Sequence, residues 1–396
     1  MNQSRDVVIL SGVRTAIGAF GGSLKDFAPT ALGAMCVKEA VARAGVAPDQ
    51  VGSCVFGNVI HSDPKDMYLS RVAAINGGLP VATPALTVNR LCGSGLQAIV
   101  SAAQQVMLGD ADVAVAGGAE SMSRVPYAIP AERWGQKMGD AKVVDMMLAA
   151  LNDPFGHGHM GITAENVAAK WKIGREAQDA YAVESHRRAA AARAAGRFKD
   201  QILPVEIETR KGKTVFDRDE HIREDATAEG LRTLKPAFKK DGTVTPGNAS
   251  GLNDGAAAVV LAEAKTAAAR GLTPMARLVS YAYAAVEPSE MGIGPVPAVT
   301  RAMQRAGLKV ADMDVIESNE AFAAQALAVA ADLGFPPEKT NPNGGAVALG
   351  HPVGATGAIL MVKTLYELKR SGGRYGLVTM CIGGGQGIAA IVENLN

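Results

Sequence analysis

The chain has 396 residues, 48% hydrophobic, 20% charged and 5% aromatic, with a formal net charge of +1. That length and core content suit two or three globular domains, or one duplicated domain with an insertion, and the near-zero charge offers no general field for nucleic acid or an anionic membrane. No apolar run is long enough for a membrane span, and four cysteines without CxxC spacing are too few for a disulfide framework.

The opening MNQSRDVVIL reads as neither a secretory signal nor a transit peptide, so a reduced, cytoplasmic setting is expected. VVIL (7–10) predicts the first strand. ALGAMCVKEAV (31–41) has helical apolar spacing that buries Cys36, and SCVFG (53–57) is a strand that buries Cys54. ALTV (85–88) leads into VNRLCGSGLQAI (88–99), a helix over 95–108 and a strand at VAVAG (113–117). Residues 121–249 hold both tryptophans and four of the six histidines, a shift that marks an inserted domain. Within it, 174–198 predicts a charged helix with a solvated surface, and His157, His186 and His221, like His61 before it, sit in polar surroundings where a surface place is expected. The last part repeats the alternation: DVIES (314–318), a helix over 356–370, and YGLVTM (375–380). Alternating β and α elements predict an α/β fold with covered sheets.

An internal repeat runs through this pattern. ARAGVAPDQVGSCVFGN (42–58) resembles QRAGLKVADMDVIESN (304–319), and CGSGLQAIV (92–100) resembles VGATGAILM (353–361). Arg43 and Arg305 lie 262 residues apart, and Gly93 and Gly354 lie 261 apart. A near-constant offset across two motifs predicts two similar α/β halves: 1–120, continued by 250–272, and 273–396, with 121–249 inserted.

Cys92 leaves a strand and meets the start of a helix, where free N–H groups and the positive dipole end favour a thiolate and a lowered pKa. A nucleophilic cysteine needs a base, and His351 in NPNGGAVALGHPVGATGA stands before the matching turn of the second half. Cys381 opens CIGGGQG, whose glycines offer N–H groups for a negatively charged oxygen. Asn319 and Glu320 follow a strand, where functional groups collect in α/β proteins. No HExxH, paired CxxC or dense carboxylate cluster offers a metal site. A second reading stays open: Gly93-x-Gly95-x-x-Ala98, with Glu120 after the next strand, also fits a dinucleotide fingerprint, although it leaves Cys92 without a role.

With NRLCGSGLQA, HMGITAENVA, NASGLNDGAAA, NEAFAAQ, GHPVGATGA and CIGGGQG in that order, the chain resembles the thiolase family along its whole length, nearest to the bacterial biosynthetic branch. The resemblance implies duplicated βαβαβαββ halves about a pseudo-two-fold, layered α-β-α-β-α, with an inserted loop domain. It implies acetyl-CoA C-acetyltransferase chemistry, with coenzyme A and acyl-CoA as substrates and no permanently bound cofactor or metal. Cys92 matches the acylated nucleophile, His351 its activator, Cys381 the acid/base for the second substrate, and Asn319 a water-holding group of one oxyanion hole. Gly383 and Cys92 supply the N–H groups of the other. Ser250, His159, Met160, Ala321, Phe322 and Met291 match positions along the pantetheine and acyl pocket, and Arg223 and Gly230 lie where coenzyme A's nucleotide would sit. Gly230 departs from relatives that carry serine there. A ketoacyl synthase shares the nucleophile but commonly has histidine or asparagine where this chain has Cys381. SMSRVPYAIPAERWGQKMGD (121–140) resembles a tetramerisation loop and implies a homotetramer.

Overall fold

Residues 5–210 and 212–396 are described by the structure, a computed structural model. The first half alternates β1 (Val7–Thr15), α1 (Pro29–Ala44), β2 (Ser53–Gly57), α2 (Leu69–Asn76), β3 (Ala85–Val88), α3 (Ser94–Leu108) and β4 (Val113–Ser121). β1, β2 and β4 are buried at every position, as expected of strands covered on both faces. α1 opens on Pro29, whose fixed φ suits a first turn, and stops at Gly45 in the left-handed conformation.

After Ser121 the chain makes a long excursion, touching the sheet again where Ile202–Leu203 pairs with the end of β1, and returns as β5 (Asn253–Glu263), with Asp254 paired to Ser121. The excursion carries α4 (Met146–Leu151), α5 (Met160–Lys170), α6 (Arg175–Ala194) and α7 (Ala228–Arg232). β6 (Ala276–Ala285), α8 (Pro295–Ala306), β7 (Val315–Ser318), α9 (Ala323–Leu333), α10 (Ala346–Leu349), α11 (Thr356–Ser371), β8 (Tyr375–Ile382) and β9 (Gln386–Asn394) complete the second half.

Hydrogen bonding orders the strands β3-β2-β4-β5-β1 and then β6-β9-β8-β7, the two runs joined by the short antiparallel pairing Val8–Arg277 and Ile9–Ala276. α1 and α2 cover the outer face of the first run and α8 and α9 that of the second, while α3 and α11 lie against each other between them. The layers are therefore α-β-α-β-α.

α3 starts at Ser94 and α11 at Thr356, and β4 at Val113 and β8 at Tyr375, a spacing of 262 in both cases. The turn glycines alone suggest 261; the elements place Cys92 opposite Gly354 and Gly95 opposite Gly357. These last two glycines are where the central helices touch. A Cβ on Gly95 would stand 2.8 Å from the Ala358 nitrogen, and one on Gly357 would stand 2.3 Å from the Leu96 nitrogen. Close approach brings the two pre-helix turns to one place.

The charged helix α6 is not the wholly solvated element its composition predicts. Gln178, Ala182, Ser185, Ala189 and Ala192 form a buried stripe against α9 and α10. Small residues at helical spacing let the backbones come close, and the arginines ring the contact.

Candidate active site

The turn from Asn89 to Ser94 presents Cys92. Leu91 takes a left-handed φ of 46°, rare for a leucine, and the local bonds hold it there. The Asn89 Oδ1 accepts from the Leu91 N–H at 2.9 Å, and the Ser94 hydroxyl donates to the Leu91 carbonyl at 2.6 Å. Cys92 lies two residues before helix α3, with Gly93 as its cap. The Gly383 N–H and the Cys92 N–H face its sulfur and draw its pKa down, but burial is the larger effect and the thiol ends above its ordinary value, with the Glu120 charge adding to the rise. The expected thiolate at the helix start is corrected on this point: removal from water outweighs the two N–H groups that face the sulfur. At rest Cys92 is a thiol and needs a base.

His351 is that kind of group. Burial pushes its imidazole down to about 4, so it is neutral near pH 7. Its Nδ1 lies 2.7 Å from the Thr356 hydroxyl, which itself donates to the Pro352 carbonyl at 3.0 Å. A hydroxyl that has given its proton away accepts, so Nδ1 carries the hydrogen and Nε2 keeps its lone pair as an acceptor. The Asn319 Nδ2 sits 3.5 Å from that Nε2, and the Asn319 Oδ1 is buried with no protein partner. The Asn253 side chain anchors the histidine backbone, accepting the His351 N–H at 2.9 Å.

Cys381, the last residue but one of β8, is buried. Burial and the neighbouring Cys92 together raise its thiol well above the ordinary range. Two residues on, Gly383 packs against Met160 so closely that a Cβ would stand 2.8 Å from the methionine's terminal carbon, which leaves its N–H open to the site.

One cavity of about 420 Å³ is lined by Cys92, His351 and Cys381 together with His159, Met160, Ser250, Met291, Ala321, Phe322 and Arg223. Its walls fall into two apolar groups. Met160, Met291, Ala321 and Phe322 pack around Cys381, and Met122, Met147 and Val353 around Cys92. His159 caps α5, accepting the Gly161 N–H at 3.0 Å, and stacks on Phe238 at 4.6 Å; burial lowers its pKa. Gly230 is apart from this group, in a polar cleft with His186, His221 and Arg223 that adjoins the cavity mouth at His221, Arg223 and Pro246.

Two histidines expected at the surface lie elsewhere. His186 is buried on α6 and accepts the Arg223 N–H at 3.1 Å, and His221 lines the cavity, 6.4 Å from His186 between ring centres. Burial lowers both, His186 to about 4, with His221 and Arg223 adding to it. Sequence reading also missed Thr356, which sets the His351 tautomer, and Phe238. A hydroxyl five residues past a histidine across a helix start was the available signal for the first; Phe238, in an irregular loop, had none. The dinucleotide reading fails on contacts. Gly95 is spent on helix packing, and Glu120 is a fully buried carboxylate bonded to protein, not a ribose ligand. Among the described residues no three His, Cys, Asp or Glu side chains converge as a metal site, and no helix is long and apolar enough to cross a membrane.

Residues 7–265 match the family "Thiolase, N-terminal domain" and residues 272–394 "Thiolase, C-terminal domain". The chain is similar to the beta-ketothiolase BktB of Cupriavidus necator, 65% identical over 99% of this chain and 100% of that one. It is 52% identical to an acetyl-CoA acetyltransferase of Chromobacterium violaceum, over 98% and 99% of the two chains. Among solved structures it is similar to the Bacillus anthracis acetyl-CoA acetyltransferase, with a TM-score of 0.98 at 46% identity over 100% of both chains. Human mitochondrial 3-ketoacyl-CoA thiolase in complex with CoA gives a TM-score of 0.96 at 46% identity over 99% and 98%.

Proposed function

The chain belongs to the thiolase family, and on that premise we propose that it is an acetyl-CoA C-acetyltransferase, a β-ketothiolase that works through an acyl-cysteine. The observation that supports this most is the meeting of a raised thiol (Cys92), a neutral imidazole with an unprotonated Nε2 (His351) and a second raised thiol (Cys381) in one cavity.

In this reading Cys92 attacks the acyl-CoA carbonyl as its proton passes to His351. The carbon–sulfur bond to coenzyme A breaks, and Cys381 gives its proton to the leaving sulfur. Cys381, now a thiolate, takes the α-proton of a second acetyl-CoA. The carbanion attacks acyl-Cys92, and the sulfur of Cys92 leaves and recovers the proton from His351, giving 3-ketoacyl-CoA. Protons and electrons balance without a metal or a redox partner, and thiolysis is the same path reversed. Charge builds on a thioester oxygen in each half. The N–H groups of Cys92 and Gly383 serve one oxygen, and His351 with a water on the unpartnered Asn319 Oδ1 serves the other.

Coenzyme A is the substrate carrier. Ser250, His159, Met160, Met291, Ala321 and Phe322 line its arm and the acyl group, and Arg223 with the Gly230 cleft receives the nucleotide end. A reducing, cytoplasmic setting suits four free cysteines, two of which react as thiols. We also infer a homotetramer. Trp134 and Met138 are about nine-tenths exposed in the segment 121–140, large apolar surfaces that a second pair of subunits would cover; light scattering in solution tests it. A longer-chain degradative thiolase is the second reading, favoured by the adaptable methionines Met122, Met147, Met160 and Met291 in the cavity wall.

The deciding experiment is intact mass after mixing the protein with acetyl-CoA alone, followed by peptide mapping. One acetyl group on Cys92 is expected; folded protein that stays unmodified overturns the reading.

A further inference from the structure

We propose that Glu120 is a positioning residue for the acyl-transfer step, the one buried carboxylate through which the first half holds the His351 turn against Cys92. The proposal rests on the reading of His351 as the base. Glu120 lies near the end of β4 and is fully buried. Its Oε1 accepts from the Asn58 Nδ2 at 2.9 Å and the Ile60 N–H at 3.2 Å. Its Oε2 accepts from the Val59 N–H and the Gly354 N–H, each at 2.9 Å. Three of these bonds hold the loop after β2, and the fourth crosses to the second half.

Gly354 stands three residues after His351 and two before Thr356, whose hydroxyl sets the imidazole tautomer. The contact is tight: a Cβ on Gly354 would lie 2.4 Å from the Glu120 Oε2. The repeat puts Ile382 opposite Glu120, so the fold plan itself does not call for a charge there. All four partners donate and none accepts, so the bonded form is the carboxylate, although burial pushes its pKa up to about 8. Cys381 and His351 share the cavity with Cys92, with His159, His221 and Arg223 farther round the wall; Glu120 lies behind it and acts on Cys92 through its charge, and Asp66 acts on Glu120. The carboxylate thus aligns the base, and its charge adds to the burial that raises the Cys92 thiol.

Charge and reach can be separated in the full-length protein. Glu120→Gln keeps the shape but turns an NH₂ toward backbone donors, and Glu120→Asp keeps the charge but shortens the arm. Single-turnover acetylation should fall about 10²-fold in Glu120→Gln, the scale of a misplaced catalytic group, with KM for acetyl-CoA unchanged. The pH midpoint for iodoacetamide labelling of the Cys92 peptide should move down in that variant and stay in place in Glu120→Asp, which should still acetylate slowly. If Glu120→Gln does not fold, Glu120→Asp carries the test alone. Parental acetylation rates in these variants, or a rise in KM with kcat preserved, overturn the role of Glu120. Parental acetylation in His351→Ala instead overturns the reading beneath it.

Discussion

At the end of its third strand the first half makes a pinned turn and presents Cys92. At the same step of the repeat the second half has Gly354; where Cys54 pairs with Ala85 of β3 in the first half, Ile316 makes a single parallel bridge to Thr340, and the helical turn α10 then leads out to His351. The strand ends differ as well: β8 closes on Cys381–Ile382, while the matching residues of β4 are Ala119–Glu120. One plan therefore delivers its two sulfurs from non-equivalent places, and the proposed base follows a helical turn that the first half lacks between its third strand and α3. Duplication supplies the meeting of two helix starts; local departures from it supply the chemistry. The buried interiors diverge too. Lys363 on α11 donates to the Glu317 carboxylate at 2.6 Å and to the Gly344 carbonyl at 2.7 Å, whereas the positions opposite hold Ser101 and Val55.

The sharpest way to break this comparison is Cys92→Ala. Acetyl-enzyme should vanish, a loss on the order of 10⁴–10⁶ in turnover, because Cys381 is placed for proton transfer. Stoichiometric acetylation of that variant, mapped by mass, would show the two sulfurs to be interchangeable. Cys381→Ala should still become acetylated on Cys92, more slowly because the leaving sulfur loses its proton donor, but lose condensation by roughly 10²–10⁴-fold. If no acetyl group appears on Cys92 in folded protein, the division between the halves is wrong.

Asn319→Ala tests the second half's contribution to charge stabilisation. A drop of about 10²–10³ in kcat is expected, the size of a lost oxyanion donor, with acetylation and condensation timed separately to see which oxygen it serves. The buried ion pair gives a stability effect. Lys363→Met alone leaves Glu317 without its partner and should cost about 3–5 kcal/mol, while adding Glu317→Val, the first half's residue, should recover much of it. Denaturant melts of the single and double variants check this, and an unchanged single variant would remove the pair as a distinguishing feature.

The smallest effect concerns pH. His351 and His186 are both held near 4, below the ordinary value of 6.5, so the unfolded chain binds more protons between those limits. Stability from these groups is therefore complete above about pH 6.5 and is lost as pH falls toward 4. Melting temperatures across pH 4–7 should show this slope, and His186→Gln should weaken it. The same shift keeps the His351 base free, so the acid limb of acetylation should lie near pH 4 rather than near 6.5.

Much of this site could be read along the chain. Cys92 and Cys381 stand beside glycine-rich turns that leave little room for a packing role, and His351 precedes a turn matched in the other half. Other parts were hidden for specific reasons. The polar helix α6 gave no sign that alanines at helical spacing would bury it, and His186 and His221 looked exposed because their neighbours in sequence are charged. Glu120 fitted a ribose ligand until its four donors were visible, one of them 234 residues away.

Periodicity and side-chain chemistry are local properties, so the chain alone specified the two α/β halves, the central helices and the candidate reacting groups. Tertiary structure alone decided the state of those groups: Cys92 a raised thiol instead of a helix-activated thiolate, His351 neutral with Nδ1 protonated, and Glu120 a bond between the halves. Protonation follows burial and partner geometry, and here both come from segments far apart in the chain.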